Sequence, residues 1–369
     1  MATRPRAALR SLPLVCAALL GGAPGDAFAA DDPIREEISR LSEFLAKCPS
    51  THRIFLDVKG GAEPTLARAA TALADGRRLL ALQRLEAARQ NVAAARFLVA
   101  TLEREKGKAD EALFEAEWQR AGADVAASSE LPDFSSVRPA AVRALGEAAA
   151  HRTPIYHRTA IDYGRATDPE VGLFYVGTTR AQHEFAEFCR TLPAPATPPL
   201  DPPPLRDIAA EIDALEAEIL AAYRPPAAIA RHGEFITASA YVKEARELNA
   251  KGFRRAALLE YLHAAMRFSP LRPGGLSTAK AADLALALKD AGARFAAAET
   301  DQSLGTLFVE TGEADLAAAA AAPGTAPLLA AAIVSDVLPR YAAALEPGAP
   351  PSKRAEPEVT VTLVRWPFT

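Results

Sequence analysis

From Asp32 to Leu345 apolar residues recur at three- and four-residue spacing, and this periodicity, punctuated by proline and glycine, makes helices packed on helices the expected route to a core. Asp32-Pro33 opens the first stretch as a cap followed by proline at the first helical position, and Ile34, Ile38, Leu41 and Leu45 then fall on one face. Helical patterning resumes near Pro64 and continues, with breaks at Gly76 and Gly107, to about Arg120; residues 121–139 read as irregular. A second group covers 142–192, with breaks at Thr153-Pro154 and Asp168-Pro169. Further helices are expected over 205–223, 237–250, 253–268, 277–291, 300–311 and 326–345. Half of the residues are apolar and alanine dominates that half, which favours helix over strand. Only 54–58 and 359–366 carry strand-like patterns, so the expected class is all-α.

Residues 193–204 read PAPATPPLDPPP, a run that sustains neither a helix nor a central strand, because proline lacks the N–H those ladders require. It marks the expected boundary between an N-terminal helical domain, 30–192, and a C-terminal one, 205–346. A Pro-rich spacer and a strand or extended tail fill 347–369, where Val359, Val361 and Leu363 alternate with Thr360 and Thr362. Trp366 and Phe368 give that tail apolar anchors, and docking within its own chain or onto a partner strand are both open.

The first 29 residues are organised differently. Arg4, Arg6 and Arg10 precede an apolar run over 12–20, and Ala27-Phe28-Ala29 places small residues where a signal peptidase reads, so 1–29 is expected to be a signal peptide and the mature protein periplasmic or secreted. The run is too short to span a bilayer, and no transmembrane segment is expected in the mature chain. Val15 before Cys16 argues against lipid attachment, which needs a small residue there. Cleavage leaves Cys48 and Cys189, which either pair in an oxidising compartment or remain buried thiols.

The stretch 241–270 resembles tetratricopeptide repeats. Tyr241, Ala245 and Leu248 match the first helix of such a repeat, Gly252 the turn, Ala257, Tyr261 and Ala264 the second helix, and Pro270 its close. Glu244 departs from the pattern, standing where the family usually carries Leu. Fainter matches run through Ala69, Ala72, Gly76, Ala81, Leu85 and Ala88, and through Leu304-Gly305, Phe308, Gly312 and Ala317. The resemblance implies stacked helical hairpins that bind protein or peptide; an irregular helical bundle is the alternative.

Chemistry is less legible. A formal net charge of -4 and the lack of any long Lys/Arg run argue against nucleic acid. None of the six histidines stands in an HExxH or similar ligand set, and neither a GxSxG elbow nor a phosphate loop occurs, so no metal, cofactor or catalytic residue is assigned. The richest cluster lies over 155–189, where Tyr156, His157, Tyr163, Tyr175, His183 and Glu187 are the candidate binding residues of a groove wall. Simple packing of the hairpin explains the same aromatics. Gly177, with Leu173 and Val176, fits a close helix crossing, and the Arg254, Arg255, His263, Arg267 group fits a solvated face or a contact with an acidic partner.

Three functions follow from the pattern: a helical scaffold binding a protein or extended peptide in the cell envelope, a helical hydrolase or lyase with its site in the groove between the halves, or a carrier with an enclosed apolar cavity. A deep pocket holding several perturbed ionisable groups would favour the second. N-terminal sequencing of the exported product is expected to begin at Ala30 or Asp31; an intact Met1 on a membrane-held product would overturn the signal-peptide assignment.

Overall fold

A computed structural model of the chain describes residues 32–47, 53–106, 109–127, 133–166, 168–193, 200–224, 229–272, 280–322 and 326–345. Among these residues every regular element is helical: α1 (Pro33–Lys47), α2 (Arg53–Ala74), α3 (Arg78–Arg104), α4 (Glu111–Ala127), α5 (Ala140–Ala166), α6 (Pro169–Thr191), α7 (Ala209–Ala222), α8 (His232–Ala250), α9 (Arg254–Phe268), α10 (Ala281–Ala296), α11 (Ser303–Ala321) and α12 (Leu328–Leu345), the last with a π turn at Ile333–Val337. The protein is all-α. Residues 1–29, Cys48 and the 347–369 spacer and tail lie outside the described residues.

Local chemistry sets the boundaries. Asp32 accepts the Ile34 N–H at 3.1 Å and starts α1, while Asp168 accepts the Glu170 N–H at 2.9 Å with Pro169 behind it and starts α6. Helices α2 and α8 end alike. Gly76 and Gly252 take φ of 78° and 84°, and the N–H groups of Arg77 and Phe253 reach back to the carbonyls of Ala72 and Leu248 at 2.8 and 3.0 Å, the left-handed close that turns each helix into the next. The α2–α3 and α8–α9 hairpins therefore share a turn, and they coincide with two of the three repeat-like stretches. In the second hairpin Ala245, Leu248, Ala257, Tyr261 and Ala264 are all buried. The third stretch is not a hairpin: Gly312 sits inside an unbroken α11, where a Cβ would come within 2.9 Å of Leu288.

Three sequence expectations need correction. Residues 54–58 are not a strand but the first turns of α2, because Phe55, Val58, Ala62, Leu66 and Ala69 form one continuous buried face. Pro64 lies inside α2 instead of near a helix start, and Pro154 lies inside α5 instead of breaking it. Each removes one backbone bond, and the packed face on either side holds the helix together. Residues 121–127 continue α4.

One hydrophobic core runs from Ile34 in α1 to Ala344 in α12, so the helices before and after the Pro-rich connector bury their faces together. A smaller cluster of Leu98, Phe114, Ala121, Ala160, Leu173 and Val176 lies beneath α4. The described end of the connector lies against the C-terminal helices, with Pro203 buried and Arg206 donating from N to Ala344 O and from Nε to Ala343 O at 3.2 and 2.6 Å.

Two carboxylates tie the halves at helix N-termini, where the first N–H groups lack partners within the helix. Asp301 accepts from Ala140 N at 2.5 Å and from Ser303 N at 2.9 Å, capping α5 and α11 together. Glu310 of α11 accepts from Leu80 N in the first turn of α3 at 2.8 Å. Helix α12 has the length and apolar composition to cross a membrane, a property the sequence reading missed, yet Ala330, Ile333, Val337 and Tyr341 are buried in this core. Its Asp336 is also buried, accepting from Arg340 Nε at 2.8 Å and Ser269 Oγ at 3.0 Å.

Close helix approach is made by small residues. A Cβ on Gly177 of α6 would lie 2.8 Å from Ala94 Cα and 2.9 Å from Ala94 O of α3, a clash with backbone that side-chain movement does not relieve. Gly177→Ala is therefore expected to destabilise the fold by about 1–3 kcal/mol. Chemical denaturation would measure it, and an unchanged midpoint would contradict this crossing.

Candidate functional site

The buried faces of α3, α5, α8 and α9 meet around a single guanidinium. Arg152 of α5 approaches Glu86 of α3 at 2.9 Å through Nη1, Glu260 of α9 at 2.7 Å through Nη2, and Glu244 of α8 at 2.6 Å through Nε. The first two contacts are hydrogen bonds. The third is close, but the geometry leaves Glu244 Oε1 without a hydrogen bond, so this carboxylate is held least well. Gln182 of α6 adds bonds to Glu86 Oε1 at 3.5 Å and Gln90 Oε1 at 3.2 Å, and Gln90 Nε2 donates to Tyr156 OH at 2.8 Å. On the other side His263 Nδ1 lies 3.2 Å from Glu260 Oε2 while its Nε2 lies 2.7 Å from the Gln83 side-chain amide.

These groups form the floor of an open cleft of about 670 Å³ at the junction of the two helical groups. Leu145, Met266 and Leu329 give it apolar patches, and Tyr156, Tyr241 and Thr311 add hydroxyls. Arg68, Arg84, Arg267 and Asp315 complete the charged part of the lining, with Arg68 and Arg267 exposed at the mouth.

Charge balance explains the electrostatics. Three carboxyl groups share one guanidinium where burial limits screening by water, so their charges are not all compensated. Burial and the neighbouring Glu260 charge together push Glu244 up to about 8, against the opposing pull of Arg152, and it holds a proton at neutral pH. Glu260 moves the other way: burial raises it, but Arg152 and His263 outweigh burial and keep it ionised. Burial would lower Arg152, and the attraction of Glu260, Glu244 and Glu86 overcomes that and locks its charge. Burial, reinforced by Glu260, raises the Tyr241 hydroxyl to about 12, so it remains a neutral donor.

The residues singled out in the sequence distribute unevenly. Tyr156 is the one that reaches the cleft. Its ring adjoins Tyr175 with centroids 6.4 Å apart, and Tyr175 stacks on the exposed Tyr163 at 4.9 Å, so the three tyrosines form one run of rings along α5 and α6. Beside it Tyr175, Phe174, Val171, Ile54 and Val58 line a shallower hollow. His157 stacks on Trp118 at 4.8 Å and exchanges side-chain-to-backbone bonds with it, which is a packing role. His183 lines a small hollow with Thr153, Thr179 and Arg180, and Glu187 pairs with Arg190 at 2.6 Å. Neither enters the central cleft. Cys189 is a buried free thiol, and Cys48, with which it pairs in one of the two open readings, lies outside the described residues. Of the basic group on α9, His263 and Arg267 line the cleft while Arg255 is half-buried among Arg143, Glu147, Arg138 and Asp301.

Sequence reading missed Glu86, Arg152, Glu244 and Glu260, which belong to no local motif. The one available signal was Glu244 at a position where the repeat pattern places Leu. Among the described residues no group of three or more His, Cys, Asp and Glu side chains is arranged to hold a metal ion.

Arg152→Met leaves Glu86 and Glu260 without their guanidinium partner and is expected to cost about 3–5 kcal/mol. Glu244→Gln behaves differently. Between the ordinary Glu value of 4.5 and about 8 the folded protein keeps a proton that the unfolded chain has lost, so native stability falls as pH rises through that window. The variant lacks this loss, and its denaturation midpoint should gain on the parent from about pH 5 to about pH 8. A difference that stays constant with pH would show that Glu244 is not the group holding the proton.

No protein-family model, curated protein or solved structure matches this chain.

Proposed function

We propose that this protein is an exported helical scaffold that holds a short extended peptide, free or as a segment of a partner protein, in its central cleft within the cell envelope. The observation that carries the reading is the open cleft of about 670 Å³ at the junction of the helical groups, within the size range that encloses a drug-sized ligand and far short of a protein face. Its lining combines apolar patches with hydroxyl and charged groups, which suits a peptide better than an apolar small molecule. The envelope location rests on the basic start, the 12–20 apolar run and the Ala27-Phe28-Ala29 site.

A second reading, a hydrolase or lyase acting on envelope material, has its own support. Glu244 and Glu260 are two carboxyl groups in one cleft whose surroundings drive their pKa values apart, the arrangement in which one serves as acid and the other stays charged. Against it, Glu260 is already engaged by Arg152 and His263 and is almost fully buried.

A single experiment separates them. Ala318 lines the cleft and is exposed, so Ala318→Trp narrows the space without disturbing the core. The mature chain and this variant are each incubated with a random pool of short peptides, and the retained peptides are identified by mass spectrometry. Retention by the parent and its loss in Ala318→Trp, with the helical circular dichroism unchanged, supports binding in the cleft. Equal retention by both, or none by the parent, overturns it, and peptides recovered in shortened form favour the second reading.

A further inference from the structure

The cleft carries two opposite charge shortfalls at different depths. On the floor the Arg152 guanidinium lies within ion-pair distance of Glu86, Glu244 and Glu260, so three acids are answered by one base. The Glu244 carboxyl borders the cleft and receives no hydrogen bond at Oε1. At the mouth the imbalance reverses. Arg68, Arg84 and Arg267 line the opening, and none has a carboxylate within ion-pair distance among the described residues; Arg84 donates to the Arg68 carbonyl and Arg68 to Thr65 Oγ1. Burial and the like charges of Arg68 and Arg77 lower the Arg84 pKa, as expected where cations crowd without an anion.

We propose that the cleft selects peptides bearing both a primary ammonium group, received on the floor beside Glu244 and the Tyr241 hydroxyl, and a carboxylate, received at the mouth by Arg68, Arg84 and Arg267. The inference rests on the peptide-binding reading above and names the chemistry of its ligand. An ammonium ion placed at Glu244 supplies the positive charge that a bound proton supplies in the empty site, so binding expels that proton and tightens as pH rises toward 8. The charged and titratable groups that face Glu244 from the surrounding helices are Glu86 on α3, Arg152 and Tyr156 on α5, Tyr241 on α8, and Glu260 and His263 on α9. The Glu244 carboxyl is raised while that of Glu260 is lowered. Guanidinium groups as a class titrate far above this range, so a carboxylate contact with arginine adds no pH dependence of its own.

The test uses calorimetric titration of the mature chain with the tripeptide Ala-Lys-Ala, with its form acetylated on both amines, and with its C-terminal amide. The free tripeptide should bind at least about tenfold more tightly than either blocked form, since a charge-assisted hydrogen bond contributes about that much. Its affinity should rise between about pH 6 and about pH 8, and binding should release protons into the buffer. Glu244→Gln should erase the preference over the acetylated form while keeping the preference over the amide; Arg84→Ala with Arg267→Ala should do the reverse. Equal affinities for all three tripeptides overturn the charge selection and leave the peptide-binding reading standing if the random pool is still retained. If neither the tripeptides nor the pool bind, both readings fall.

Discussion

The buried junction around Arg152 is the constraint to which the rest of the structure is fitted. A guanidinium cannot be left alone in a low-dielectric interior, and neither can a carboxylate, so α3, α5, α8 and α9 must each present their charged residue in one register. A shift of one residue along any of these helices rotates its acid by about 100° and strands a charge. Buried ion pairs of this kind add little net stability compared with a packed apolar core, and what they contribute here is alignment. The helices before and after the Pro-rich connector are thereby fixed against each other, and the space left over their charged ends is the cleft.

Around that junction the helix ends meet a second requirement of the same physics. Unpaired N–H groups at the starts of α3 and α5 are answered by Glu310 and Asp301 from the C-terminal group of helices. Burial and the nearby Glu313 push Glu310 up to about 7, so this tie, like Glu244, lies close to its titration point at neutral pH. Small residues do the remaining work. Gly164 and Gly172 let α5 and α6 approach until a Cβ on Gly172 would lie 2.5 Å from Gly164 Cα, and buried alanines on α3, α5 and α9 keep the packed side chains there small.

The aromatic wall and the ionic floor illustrate two ways a site can be written into a chain. Tyr156, Tyr163 and Tyr175 are separated by less than two dozen positions and sit on two consecutive helices, so their clustering is visible in the sequence as a local excess of rings. The floor is assembled from residues 86, 152, 244 and 260, each of which alone looks like an ordinary charged residue on an amphipathic helix. Tyr156 belongs to both, joined through Gln90 and Gln182 to Glu86.

By itself the sequence determined what short-range physics controls. Apolar spacing specified helices, Asp32-Pro33 and Asp168-Pro169 specified two of their starts, and Gly76 and Gly252 specified two turns, because each depends on residues within a turn or two of one another. It misjudged 54–58, Pro64 and Pro154, where packing of a long buried face outweighs a local preference. Tertiary structure alone decided which acids meet Arg152, that Asp301 and Glu310 cap helices far away in the chain, and that Glu244 holds a proton. Those outcomes depend on charges brought together across more than sixty positions of sequence, and the energy of an ionised group is set by the neighbours and the burial that folding supplies.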